Sequence, residues 1–123
     1  LQSKADITNL GIALTKAYRS IDKSIANKRI CIDILSDVLV KHGTNTTREW
    51  ISGLITDLGA KGFIMLAVMN PTMHLPNDAN AVLDLFDGEI SITQTKDPLE
   101  CKTSIRIEKL RNQDYIKNPI CLT

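Results

Sequence analysis

The sequence predicts an α/β fold, in which parallel strands joined by crossover helices are followed by an antiparallel hairpin at the sheet edge. Three observations predict it. Two near-continuous apolar runs, residues 29–35 and 63–69, fit strands of a parallel sheet. A segment of helical period separates them, and after residue 88 the apolar period falls to two.

Composition sets the bounds. With 123 residues the chain has room for a single domain, residues 1–123, and for an ordinary core. Apolar residues at 43% and charged residues at 24% exclude a disordered or membrane-embedded class. A formal charge of +1, with both signs scattered, leaves no polyelectrolyte footprint, so nucleic acid is not indicated as a partner. Cys31, Cys101 and Cys121 are odd in number and far apart, which predicts no disulfide framework and a reducing, cytoplasmic setting. No apolar run approaches the roughly 20 residues of a membrane span, and no signal-peptide pattern opens the chain. Leu1 leads straight into a helical pattern, as expected of a piece of a longer protein.

Along the chain, Ile7, Leu10, Leu14, Ala17, Tyr18, Ile21 and Ile25 recur at helical spacing with Lys16, Arg19, Asp22 and Lys23 between them, which predicts an amphipathic helix covering a sheet. The pattern spans too few heptads for a coiled coil. The first apolar run is the first strand. Thr46-Thr47-Arg48-Glu49 has capping-box spacing, Trp50, Ile51, Leu54, Ile55 and Leu58 share one face, and Lys61-Gly62 is a stop. With the second run this makes a β-α-β unit of right-handed crossover. Pro76-Asn77-Asp78 starts a third helix through Val82, Leu83 and Phe86, ended by Asp87-Gly88. Ile90 and Ile92 then alternate with Ser91 and Thr93, and Ile105 and Ile107 with Arg106 and Glu108, around a turn at residues 96–100.

Ligands of open α/β sheets bind beyond the carboxyl ends of the parallel strands. Asp33 lies near one such end, and Met69-Asn70-Pro71 closes the other. A carboxylate ending an apolar run is paired, solvent-reachable or near a cation. Magnesium, which keeps its waters and needs only one or two carboxylates, suits such a place, as does a plain capping role. His42 and His74 lack metal-ligand spacing and read as solvated loop residues. Cys31 reads as a small core residue, Met65, Met69 and Met73 as packing, and Trp50 as a helix-to-sheet anchor.

The combined order of RICIDILSDVL, a capped helix, KGFIMLAVMNP, LFDGEISI and the last strand KTSIRIEKLRNQ resembles the carboxyl-terminal half of a RecA-superfamily P-loop ATPase domain. The archaeal KaiC-like group is most similar, and the resemblance covers roughly the whole chain. It implies a three-layer RecA-like half-domain. Asp33 would end the Walker B strand and bind Mg2+ through water. Asn70 would sense the γ-phosphate of ATP or orient the attacking water. Asp87-Gly88 would open the next strand, and Lys109 and Arg111 would reach the triphosphate of a neighbouring subunit, where an arginine in trans stabilises transition-state charge. Catalytic roles thus fall to Asn70, Lys109 and Arg111, and nucleotide contact to Asp33 and Asn70. The alternative for Lys109 and Arg111 is to discourage edge pairing. The cofactors implied are ATP and Mg2+, and the partners a second copy or another RecA-like subunit, with no membrane.

The chain also departs from the family pattern. No GxxxxGK[ST] loop occurs, so the Walker A half is missing. Many relatives have Asp-Ser where this chain has Asp33-Ile34, and their catalytic carboxylate usually lies upstream. The chain alone is therefore expected not to hydrolyse ATP. Two function classes remain: an ATP-binding or ATPase regulatory protein, and a non-catalytic scaffold domain derived from the same fold. A receiver domain also places aspartates at strand tips, but the terminal hairpin does not suit it.

Overall fold

Parallel pairing joins the two apolar runs. In the computed structural model, residues 2–21, 23–96, 99 and 103–122 are described, with side chains from residue 7 onward. The architecture is mixed α/β and divides into two compact units, residues 1–85 and 86–123. The first holds a two-stranded parallel sheet and the second a three-stranded antiparallel one.

In the first unit, helix α1 (Gln2–Arg19) precedes strand β1 (Lys28–Ile32). The helix stops before the expected Ile25, because the Ser20 hydroxyl turns back to donate to the Ala17 carbonyl (2.7 Å) and competes with the ladder. Strand β1 pairs with β2 (Phe63–Ala67) from Lys28 opposite Phe63 to Ile32 opposite Ala67. Between them lie two helices where one was expected: α2 (Leu35–His42) and α3 (Thr44–Ala60). Leu35, Val38 and Leu39 are buried at i, i+3 and i+4, so this part of the run is helical, and β1 ends at Ile32 instead of residue 35.

Gly43 separates α2 from α3 with φ 82° and ψ 171°, a conformation reserved essentially to glycine. The expected capping box at Thr46 is not the start of α3. Thr47 is instead fully buried, its hydroxyl donating to the Gly43 carbonyl at 2.7 Å. Helix α4 (Pro76–Leu83) is shorter than expected and is tied to α3 by Thr44 Oγ1 donating to Asp78 Oδ1 (2.8 Å) and by the Arg48 guanidinium donating to the Ala81 carbonyl. Leu35, Ile51 and Val82 centre the core, each worth about 1.5–3 kcal/mol on burial.

Only one face of the parallel pair is covered. Leu10 and Leu14 of α1 lie with Ile30, Ile32 and Trp50 around a small cavity, and the Tyr18 and Phe63 rings stand 5.6 Å apart on the same side. On the other face Ile64, Leu66 and Val68 are 60%, 59% and 46% exposed. The apolar runs had suggested strands buried on both sides; among the described residues of the first unit, no second layer covers this face. Cys31 shares it and is exposed, contrary to its expected core position.

The second unit is built from β3 (Gly88–Gln94), β4 (Thr103–Leu110) and β5 (Ile120–Cys121). The hairpin does not extend the parallel pair, as expected, but pairs with β5 in a sheet of its own. The expected turn at residues 96–100 lies largely outside the described residues. Ile90 faces Ile107, and Ile92 faces Ile105, which in turn pairs with Ile120. The opposite face is polar: Ser91 donates to Glu108 (2.7 Å) and the Thr93 and Ser104 hydroxyls meet at 2.8 Å. The period of two is therefore present, but its apolar side is open, with Ile90 and Ile92 57% and 65% exposed. Cys121 is disulfide-bonded. Odd in number and far apart, the cysteines were expected to hold no disulfide framework, and this single bond is the departure from that expectation. Among the described residues no helix is long and apolar enough to cross a membrane.

Candidate functional site

Two parallel strands that stop side by side leave their carboxyl ends open to solvent together. Beyond β1 and β2 the ladder continues one step, with Val68 N–H donating to the Ile32 carbonyl at 2.9 Å. Asp33 and the chain leading to Asn70 thus leave from adjacent points.

Asp33 is exposed and has no hydrogen-bond or ion-pair partner among the described residues. Of the three possibilities for a carboxylate here, it is solvent-reachable. Directly after it, Ile34 precedes α2 without a side-chain cap, so the first-turn N–H groups of that helix have no side-chain acceptor from it.

Four hydrogen bonds hold Asn70, one of them from the Met73 N–H to its backbone carbonyl at 3.2 Å. Its backbone N–H donates to Ser36 Oγ at 2.8 Å. Its side-chain Oδ1 accepts from the Thr72 N–H (3.2 Å) and from Thr72 Oγ1 (2.7 Å), capping the 3-10 turn Pro71–Met73. A carbonyl oxygen has two lone pairs, and both are used. What Asn70 offers outward is its amide NH2, so it can donate to an anion.

The third member was not foreseen. His74 Nε2 lies 3.0 Å from Ser36 Oγ, so one hydroxyl joins α2 to the loop after β2 at two places. His74 is half-buried and engaged, and His42 is half-buried with its Nδ1 enclosed and unpaired; neither is the solvated loop residue expected. No local spacing could reveal a contact between residues 38 positions apart.

The arrangement fits a hydrated magnesium ion in part. Among the described residues no group of three or more His, Cys, Asp or Glu converges. A single exposed carboxylate suits a cation that keeps its waters. The residues do not supply a cradle for a whole triphosphate.

In the second unit, Asp87-Gly88 and Lys109-Leu110-Arg111 meet across β3 and β4. Lys109 stands opposite Glu89 and is half-buried. Arg111 N–H donates to the Asp87 carbonyl at 2.8 Å, and its guanidinium lies 3.7 Å from the Asp87 carboxylate. Both side chains are open, 45% and 87% exposed, and an ion pair of that kind is worth about 0–1 kcal/mol. The Asp87 carboxylate therefore contributes little to holding the guanidinium. Gly88 sits at a close approach: a Cβ there would meet Leu110 Cδ1 at 3.2 Å, so that side chain would have to give by a few tenths of an ångström.

Comparison with known proteins gives one finding. A family model described as a family of unknown function, DUF7504, matches residues 1–92. No curated protein and no solved structure matches the chain.

Proposed function

This chain belongs to DUF7504, a family of unknown function, and we propose that it is a nucleotide-binding regulatory protein of the RecA/KaiC-like class. In this reading the chain is the carboxyl-terminal part of a three-layer ATPase domain. One observation carries it: the unpartnered Asp33 carboxylate and the outward amide of Asn70 stand at the carboxyl ends of two adjacent parallel strands. An anionic oxygen and a fixed donor leaving from neighbouring strand ends suit a hydrated cation and a phosphate oxygen.

Each group then has a role suited to its chemistry. Magnesium, when bound, would neutralise phosphate charge. Asp33 holds the hydrated ion through its waters, Asn70 donates to a terminal phosphate oxygen, and Lys109 and Arg111 present cations to the triphosphate of a neighbouring subunit. Hydrolysis further requires a phosphate loop, which the residues of this chain do not contain. The test is titration of the chain with a fluorescent ATP analogue and magnesium, beside Asp33→Asn. Saturable, magnesium-dependent binding that the variant loses is expected; binding that the variant retains sinks the assignment of Asp33.

A specific observation favours a second reading, assembly without catalysis. Parallel sheets are normally covered on both faces, whereas Ile64, Leu66 and Val68 are open here. A scaffold that self-associates would cover them. Light scattering after size exclusion separates the readings: a strict monomer at high concentration that binds nucleotide removes this one.

A further inference from the structure

We propose that Ser36 is a positioning residue for phosphate recognition, acting with His74 to fix the direction of the Asn70 amide. The inference rests on the nucleotide reading above and adds to it two residues that no local sequence pattern singles out.

A serine hydroxyl has one proton and two lone pairs, so Ser36 can accept from the Asn70 N–H and still meet His74 Nε2, as donor or acceptor according to the ring's tautomer. The pair is not arranged as nucleophile and base. A backbone N–H already occupies Oγ, and among the described residues no carboxylate is hydrogen-bonded to the other ring nitrogen. Its interactions are spent inside the protein, on the loop that carries Asn70.

That loop is exposed, and a short exposed loop ordinarily samples several backbone conformations. Ser36 holds the Asn70 peptide at the front, His74 holds the far end of the 3-10 turn to the same oxygen, and Thr72 holds the side-chain carbonyl between them. The only hydrogen-bonding atom of the Asn70 side chain left open is the amide nitrogen. Its aim is set by Ser36, from another element, before any ligand arrives. Pre-organisation of this kind raises affinity for the group the donor meets and leaves the rest of the ligand indifferent.

The phosphate that meets Asn70 is the terminal one in this reading, so loss of Ser36 must show as lost discrimination between tri- and diphosphate. The experiment is calorimetric titration of the full chain, as wild type, S36A, S36T and H74A, with Mg-ATP and with Mg-ADP, alongside melting temperatures. The expected result is that S36A weakens Mg-ATP by roughly tenfold or more and Mg-ADP by less than about twofold. S36T, which keeps the hydroxyl, restores most of the difference, and H74A falls between. Equal weakening of both nucleotides, or loss only in step with a fall in melting temperature, identifies Ser36 as merely structural and overturns the inference. Wild type that binds neither nucleotide overturns the nucleotide reading itself. Wild type that prefers Mg-ATP, together with an S36A protein that prefers it equally, overturns this inference alone.

Discussion

Residues 1–85 and 86–123 hold their shapes by different means. Every buried residue among the described ones, from Ile32 to Val82, lies in the first unit; in the second, none is buried. The first is a small core of leucine, isoleucine and valine under helices. The second is a hydrogen-bonded ladder with cross-strand isoleucines open on one side and a disulfide at Cys121. Apolar alternation in a sequence therefore reports where a core face is available, and a covering layer is a separate requirement.

The contrast is sharpest in core truncation. Ile51→Ala is expected to cost about 2–5 kcal/mol in urea unfolding, because Ile51 is wholly enclosed. Ile92→Ala, at a site 65% exposed, is expected to change stability by less than about 0.5 kcal/mol. Comparable costs at the two sites would erase the distinction.

Next in size is reduction of the disulfide, expected to remove roughly 2–4 kcal/mol from the second unit. Hydrogen exchange should show amides of β4 and β5 losing protection while those of α3 keep theirs. Loss of protection throughout would show the units to be energetically one. Thr47→Val, which keeps the buried shape but removes the bond to the Gly43 carbonyl, is expected to cost about 1 kcal/mol in the same unfolding assay. The smallest effect belongs to the open ion pair: Asp87→Asn should change stability by about 0–1 kcal/mol and make it less salt-dependent. A larger cost would mean that Arg111 is committed to Asp87.

Much of the first unit was legible because its signals are local. The parallel pair follows from the two apolar runs, and α3 from the Ile51, Leu54, Leu58 spacing. Helix α2 was hidden because the apolar run was followed through Leu35, which put the start of the helix into the strand; the i, i+3, i+4 spacing of Leu35, Val38 and Leu39 was the available signal. Strand β5 has two residues, too few for any period. At the candidate site, Asp33 and Asn70 could be placed by their position after apolar runs. Ser36 and His74 could not, since only the crossover brings them together.

The one-residue joint at Gly43 has a mechanical consequence. Its N–H closes α2 onto the Leu39 carbonyl, and its own carbonyl receives both the N–H and the hydroxyl of Thr47 in α3. A Cβ there would touch nothing within 4 Å, so the glycine is needed for its backbone angle alone. One residue thus serves both helices, as the last hydrogen-bond donor of α2 and the first acceptor of α3, so replacing its backbone angle would disturb the end of the helix that carries Ser36 and the start of the one that carries Ile51 together.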